Sequence, residues 1–312
     1  PSDPQNQIFI HTQALKKKLK WRDYPIDLIF CHQLDLTKKL KLFFQNETNL
    51  NPPIIGYYHL LELPKLDWKE MFEYNILGIT EMAACFVNTN FQKQAIIEQA
   101  REIFSSSICG VLKDKLEVLP KLVVPSDIRP SKNGNYKKVI YWGDRAGRAK
   151  SFIKFQSTLL RLRKKRQDFK VWIPRLKKGH QFLKYDWVIN ESEKNKRTFF
   201  KYLRSCCVGV SPKYQVSDWD KTIIQGLKSG VPFIVYDSPI ARNLYEKATF
   251  YKSDANLISL LDRYLDDIIF RNNVIGNCIG DLIQNHNHIK KIKVINRLID
   301  KGLPINLYKN QK

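Results

Sequence analysis

The chain has 312 residues, which is enough for two domains with separate cores, and its 43% hydrophobic and 27% charged residues exclude an intrinsically disordered protein. No apolar run approaches the ~20 residues of a membrane-spanning helix. The excess of 53 Lys and Arg over 30 Asp and Glu gives a net charge of +23. Such a charge indicates a polyanionic partner, either nucleic acid or an anionic membrane surface, although a Lys-rich coding bias would also produce it.

The six cysteines show no metal-ligand spacing, and several lie within apolar runs. We therefore expect buried free thiols, which indicate a reducing cytoplasm.

The first part of the chain alternates apolar runs with helical patterns. The runs 26–31 and 54–58 predict buried strands, separated by an amphipathic helix over 34–45. His32 and His59 directly follow these two runs. Because ligands bind at the carboxyl edge of open α/β sheets, the two histidines predict a site at that edge.

The chain continues to a polar segment rich in Pro, Gly and Asn over 125–135, which is the candidate linker. We expect a first domain over residues 1–130. Its remaining predicted elements are a helix over 68–77, an apolar run over 79–88, a helix over 90–104 and a strand over 116–119.

The second part repeats the alternation, which predicts another parallel sheet flanked by helices. We expect this domain over 131–275, followed by C-terminal helices over 276–312 that could pack back on the first domain. Predicted strands cover 139–142, 169–173, 187–189, 207–211 and 231–237. Predicted helices cover 151–165, 194–203, 220–228, 256–266 and 279–303.

Two loops of the second domain have the chemistry of a diphosphate site. The loop after 139–142 carries Arg145 and Lys150, and guanidinium and ammonium groups both bind phosphates. Ser211 ends another strand, and Thr222 lies at the following helix start, where the dipole and the amides favour anions. Each loop alone is compatible with an ordinary βαβ connection, but together they predict a clamp for one diphosphate.

A basic segment over 161–184 contains ten Lys or Arg and a single acid. Aromatic residues are interleaved with these cations, a pattern that can track a phosphate backbone and stack bases. Trp172 lies on a predicted strand, so we expect it in the core. The candidate nucleic-acid contacts are Arg163, Lys164, Lys165, Arg166, Lys177 and Lys178.

The second domain resembles the donor domain of GT-B-fold glycosyltransferases. Arg145-x4-Lys150 resembles the Arg and Lys pair that holds the nucleotide-sugar diphosphate in that family. The segment from Trp219 through Gln225 to Gly-Val-Pro resembles their second donor motif. That motif usually has two Glu residues, where this chain has Ser217 and Gln225. The resemblance implies donor-binding roles for Arg145, Lys150, Ser211, Trp219, Thr222 and Gln225.

More closely, the chain resembles glycosyltransferases of large phages and metagenomic viruses over most of residues 25–275. Matching segments include 27–40, 54–62 and 226–237. The resemblance implies an α/β protein of the GT-B class, with two Rossmann-like domains whose parallel sheets face each other across a cleft. The first domain is expected to be incomplete, because the chain begins near the third strand of the usual acceptor domain.

This resemblance implies a retaining glycosyltransferase that uses a nucleoside-diphosphate sugar, in particular a UDP-sugar, without a metal ion. The candidate catalytic residues are His59, His32 and Glu62, since His59 occupies a position that faces the sugar or acceptor in related enzymes. The net charge and the phage-like segments imply double-stranded DNA with hydroxymethylpyrimidines as the acceptor, in the host cytoplasm. Chemistry on a base also implies base flipping or strong distortion of the duplex.

Two alternatives remain open. One is a glycosyltransferase that acts on a lipid or surface polysaccharide at an anionic membrane, which the short Lys-rich amphipathic segment 15–21 favours. The other is a catalytically degenerate GT-B module that binds nucleic acid, which the missing Glu pair favours.

Overall fold

The computed structural model describes residues 26–48, 51–58, 69–120, 123–130, 136–143, 150–190, 195–211 and 220–286, with 292, 293, 295 and 296. The chain divides into two compact units, Pro1–Pro120 with Ile289–Lys312 and Lys121–His288. The described residues form a four-stranded sheet and a six-stranded sheet. All strand pairs are parallel, which confirms the prediction of two parallel α/β units.

The sheet of the first unit has the sequential order β1-β2-β3-β4. Its central strands β2 and β3 are buried along their whole length, as expected for apolar strands of a parallel sheet covered on both faces. The strands are β1 (Ile29–Cys31), β2 (Ile54–Tyr57), β3 (Ala84–Val87) and β4 (Leu116–Val118). The helices are α1 (Thr37–Thr48), α2 (Lys69–Thr80), α3 (Asn90–Arg101) and α4 (Ser106–Lys115).

Two predictions for this unit need correction. The run 26–31 is not a fully buried strand, since β1 is confined to Ile29–Cys31 and Phe30 is 47% exposed. The run 79–88 is not one element, because Ile79 completes α2 and the strand begins only at Ala84. Both Ile79 and β3 are buried, so their apolar character does not reveal where the helix ends.

The sheet of the second unit has the order β10-β9-β8-β5-β6-β7. The chain proceeds outward from β5 to β7 and then crosses to the other side of β5, so the order reverses between β5 and β8. The strands are β5 (Lys137–Tyr141), β6 (Lys170–Trp172), β7 (Val188–Ile189), β8 (Cys206–Ser211), β9 (Phe233–Tyr236) and β10 (Thr249–Tyr251). The helices are α5 (Lys150–Lys165), α6 (Lys196–Leu203), α7 (Lys221–Lys228), α8 (Pro239–Leu244), α9 (Asp254–Asp266) and α10 (Ile268–Asn285).

The second sheet has a hydrophobic core on each face, as the alternation of strand residues requires. Ile140 and Trp142 belong to the core formed with α5 and α9, whereas Val139 and Tyr141 belong to the core formed with α7 and α10. Trp172 is fully buried, which confirms its predicted core position.

Helix α10 extends through the expected domain boundary at 276. It begins at Ile268 rather than at 279, and its buried Cys278 and Leu282 contribute to the core of the second unit. Arg271 on this helix is only 1% exposed, and it donates hydrogen bonds to the carbonyls of Cys207 and Gly230 at 2.8 and 2.9 Å. A buried guanidinium therefore fixes α10 to β8 and to the turn that ends α7.

All six cysteines are buried and free, as the sequence predicted. Burial raises the pKa of Cys278 to about 12, so this thiol stays protonated at neutral pH.

Candidate active site

The carboxyl edge of β5 and β8 brings together two segments that the sequence suggested for a diphosphate site. Gly143 lies just after β5, Ser211 ends β8, and Thr222 lies in the first turn of α7. The Thr222 hydroxyl is 3.5 Å from the Gly143 carbonyl oxygen. A Cβ atom added to Gly143 would lie 2.0 Å from Thr222 Cγ2, so this close approach requires glycine. The strand order reverses here, and open α/β sheets bind ligands outside such a reversal.

Helix α7 begins where the sequence predicted, with Asp220 as its N-cap. The Asp220 carboxylate accepts a hydrogen bond from the Thr222 amide at 2.8 Å, and the Asp220 amide donates to the Tyr245 hydroxyl at 2.6 Å. The Thr222 amide is therefore bonded to the helix cap, and its contact with a phosphate stays a prediction. The Thr222 hydroxyl is the group of this residue that remains suited to a ligand.

Gln225 lies three residues after Thr222 on α7, which places both on neighbouring positions of one helix face. Ile223 and Leu227 are buried in the core, whereas Gln225 is only partly buried. Its side-chain amide has no hydrogen-bond partner among the described residues. It can therefore donate to and accept from a hydroxyl group, in the position where the resembling family has a carboxylate.

The cationic part of the predicted clamp is described only at its end. Helix α5 begins at Lys150, directly after the loop in question, and the backbone of Lys150 is described. Arg145 and Trp219 lie outside the described residues. Their participation in donor binding stays a prediction. The residues on either side of the Arg145 loop are described: Gly143 follows β5, and Lys150 begins α5. Ser211, which ends β8, is only 3% exposed.

A carboxylate that was not predicted as a site residue from the sequence follows β9 at the same edge of the sheet. The Asp237 side chain is 7% exposed and accepts hydrogen bonds from Arg242 Nε and Nη2 at 2.5 and 2.9 Å. The Arg242 guanidinium lowers the pKa of Asp237, so the carboxylate is charged at neutral pH. The signal was available in the sequence, because Asp237 directly follows a buried strand and precedes the Ser238 cap of α8.

The carboxyl edge of the first sheet carries one of the predicted catalytic residues. His32 follows β1, is exposed, and its ring centroid lies 4.8 Å from that of Phe30. His59 and Glu62 lie outside the described residues, so the catalytic roles of all three residues stay predictions.

A buried polar network at this edge was not foreseen from the sequence. The hydroxyl of Tyr57 donates to Asn88 Oδ1, and the backbone amide of Asn88 donates to Gln92 Oε1 at 2.8 Å. Gln92 Nε2 donates to the Tyr58 carbonyl at 3.1 Å. Asn88 and Gln92 are 2% and 4% exposed, so the network fixes the ends of β2 and β3 relative to α3. It thereby holds the backbone that leads into His59.

Two of the six candidate nucleic-acid residues are engaged within the protein. Arg163 donates to the Phe169 carbonyl at 3.2 Å, and its guanidinium lies over the rings of Phe169 and Trp187. Arg166 is 13% exposed and pairs with three carboxylates within 3 Å. These carboxylates belong to Asp168, Asp262 and Asp266. Both guanidinium groups therefore have internal partners, and phosphate contacts by Arg163 and Arg166 stay a prediction.

The other four candidates are exposed. Lys164 and Lys165 end α5, and Lys177 and Lys178 lie in the turn before the exposed Gly179. None of these four ammonium groups has a partner in the described part of the chain. They remain available for an anionic partner.

The described residues have the two parallel-sheet α/β units of the GT-B glycosyltransferase fold, as predicted from the sequence. The chain aligns with TarM at a TM-score of 0.73 and 13% identity, covering 94% of this chain and 58% of that chain. It aligns with the α,α-trehalose-6-phosphate synthase of Burkholderia multivorans at a TM-score of 0.70 and 14% identity, covering 96% of this chain and 78% of that chain. It aligns with Anabaena HepE, solved with UDP and glucose, at a TM-score of 0.70 and 10% identity, covering 95% of this chain and 81% of that chain.

A structure of S. aureus TarM contains fondaparinux, α-GlcNAc-glycerol and UDP. The present chain spans little more than half of TarM, and at these identities the likeness establishes the fold alone. The sequence matches no protein-family model and shows no significant similarity to a curated protein. Donor and acceptor must therefore be argued from the residues of this chain.

No helix in the described ranges is both long and apolar enough to cross a bilayer. The same ranges contain no group of three or more His, Cys, Asp or Glu side chains arranged to hold a metal ion. Metal-independent chemistry stays a prediction.

Proposed function

We propose that this chain is a glycosyltransferase that binds a UDP-sugar at the carboxyl edge of β5 and β8. The observation that carries the proposal is the contact between Gly143 and Thr222, which joins the two predicted halves of a diphosphate clamp at the reversal of strand order. UDP complexes of HepE and TarM, which share the fold, support the choice of donor.

In the proposed reaction, the bond between the anomeric carbon and the diphosphate oxygen breaks, and the acceptor oxygen bonds to that carbon. The departing UDP gains negative charge, which Arg145 and Lys150 stabilise electrostatically and the Thr222 hydroxyl stabilises by hydrogen bonding. The proton of the acceptor hydroxyl passes to a general base, for which His59 and Glu62 are the candidates. This charge stabilisation needs no metal ion, and we propose transfer with retention of anomeric configuration.

Gln225 has a separate role in this proposal. Its amide, without a partner among the described residues, lies one turn from Thr222 and can hold a hydroxyl group of the sugar or the ribose. An amide provides a neutral hydrogen bond where a carboxylate would provide a charged one, so the contact is weaker but still directional.

For the acceptor we propose double-stranded DNA with hydroxymethylated pyrimidines. The support is the net charge of +23 together with four exposed lysines, which lie on α5 and in the turn before Gly179. The internal pairing of Arg163 and Arg166 reduces the predicted contact surface, so in this proposal binding relies on these four lysines and on other exposed cations of the chain.

The test is a transfer assay with radiolabelled UDP-glucose, UDP-galactose and UDP-N-acetylglucosamine. Each donor is combined with plain DNA, hydroxymethylated DNA, anionic lipid vesicles or a phosphorylated polysaccharide. Transfer only to hydroxymethylated DNA supports the full proposal. Transfer to lipid or polysaccharide supports the enzyme but rejects the DNA acceptor. Tight DNA binding with no UDP affinity and no turnover rejects the enzyme and supports a nucleic-acid-binding module.

A further inference from the structure

A cavity of about 580 Å³ lies at the amino-terminal edge of the second sheet, the edge opposite to Gly143. Its volume is within the usual range of small-molecule sites. The charged residues that line it are Lys137, Lys138, Arg163, Asp168, Lys170 and Asp186. Four cations face two carboxylates, so the lining carries a net positive charge.

Two lysines of the lining lie at the starts of adjacent strands. Lys170 on β6 is the register partner of Val139 on β5, and Lys137 lies two residues before Val139, next to a register shift between Lys137 and Ile140. Both side chains line the same cavity. Both are exposed, and neither ammonium has a partner among the described residues. Their long side chains can therefore converge on one anion.

The walls of the cavity are fixed by internal ion pairs. Lys138 bonds to Asp168 and to Asp266 at 2.6 Å each, and Arg166 pairs with the same two carboxylates. The Arg166 guanidinium lowers the pKa of Asp168, so its negative charge persists and is balanced by its cationic neighbours. Asp186 is exposed on the rim and has no such partner within the described residues.

Two of the three aromatic residues that line the cavity offer no surface for base stacking, and the third, Tyr202, is only partly exposed. Phe169 and Trp187 are 2% and 4% exposed, and the Arg163 guanidinium covers both rings. Proteins that bind single-stranded nucleic acid stack bases on exposed aromatic rings, which these two residues do not offer. Because the Phe169 and Trp187 rings are buried while the Lys137 and Lys170 side chains are exposed, the cavity suits a compact anion.

We propose that this cavity binds a phosphate monoester, either free phosphate or the phosphate of a phosphorylated sugar. Lys137 and Lys170 hold the phosphate oxygens by charge-assisted hydrogen bonds, and Asp186 weakens binding by repulsion. The site is separate from the proposed donor edge and does not depend on donor binding.

The test is a titration of the full chain with inorganic phosphate, glucose 6-phosphate and glucose, followed by amide chemical shifts at low salt. We expect saturable shifts at Lys137 and Lys170 with inorganic phosphate and with glucose 6-phosphate, and none with glucose. Equal affinities for the two phosphates would indicate a site for phosphate itself, whereas tighter binding of glucose 6-phosphate would indicate a site for a sugar phosphate. The variant Lys137→Ala/Lys170→Ala should bind at least about tenfold more weakly, since each charge-assisted hydrogen bond has about that effect. Asp186→Asn should bind several-fold more tightly.

The matched control is Lys38→Ala/Lys39→Ala, which removes the same charge from exposed positions of α1 in the other unit. It should bind phosphate as the parent chain does. The proposal is overturned if the shifts occur only at Gly143 and Thr222, or if the Lys137→Ala/Lys170→Ala variant retains the parent affinity. It is also overturned if an oligonucleotide shifts these amides while both phosphates do not.

Discussion

The substitution Gly143→Ala tests the proposed donor site by adding one methyl group where Gly143 approaches Thr222. The new methyl group would lie 2.0 Å from Thr222 Cγ2 and 2.3 Å from the Tyr141 hydroxyl. Ordinary contacts are about 3.5 to 4 Å, so these two side chains, or the segments that carry them, must move by roughly 1.5 Å. Overpacking of this kind costs about 1–3 kcal/mol, and a shift near 1 Å in a binding geometry can reduce activity about 100-fold.

The assay compares the free energy of unfolding and the UDP affinity of Gly143→Ala with those of Gly110→Ala. The control adds the same methyl group on α4, where an added Cβ meets no atom within 4 Å. It should be neutral or about 1 kcal/mol more stable, because alanine favours helix over glycine. We expect Gly143→Ala to lose stability and at least tenfold in UDP affinity. A variant that is destabilised but binds UDP normally would refute the location of the donor site.

Four further outcomes are expected. Arg271→Met should destabilise the chain by about 3–5 kcal/mol in urea unfolding, because two buried carbonyls lose their donor; a cost below 1 kcal/mol would contradict this. Asp266→Asn should cost about 1 kcal/mol at most at neutral pH, since this carboxylate is more than half exposed. Its pKa in the folded chain is lowered from 3.8, so the parent loses this stabilisation as the pH falls below about 4 and the variant should show a flatter acid profile. Gln225→Ala should reduce kcat/KM for the donor about 3- to 10-fold without changing DNA affinity, and unchanged turnover would remove Gln225 from the site. Lys177→Ala/Lys178→Ala should lower the slope of log affinity against log salt by up to about two for duplex DNA, whereas an unchanged slope would exclude both lysines from the interface.

Much of the second unit could be predicted from the sequence, because its signals act locally. Asp220 and Gly230 mark the two ends of α7, as predicted. Asp220 caps the amino-terminal end with its carboxylate, and Gly230 follows the carboxyl-terminal end with a φ of 79°, a conformation that favours glycine. Helix α10 was mispredicted because Arg271 interrupts its apolar pattern, and only the structure shows that this charge is buried against main-chain carbonyls.

The charged residues could not be assigned to partners from their positions in the chain. Arg166 and Asp266 form an ion pair although they are a hundred residues apart, so a segment that is basic in sequence is partly neutralised in the fold. The meeting of Gly143 with Thr222 likewise depends on strand order, since β5 and β8 are neighbours only after the chain crosses over. Sequence patterns suggested the two loops of the site but not their contact.

The proposed function requires that the diphosphate of a UDP-sugar bind where β5 meets α7. This can be tested by a crystal structure of the chain with UDP. We expect diphosphate oxygens within hydrogen-bond distance of the Thr222 hydroxyl, close to the Gly143 backbone and to Lys150. UDP bound at another position, or no UDP at millimolar concentration, would contradict it.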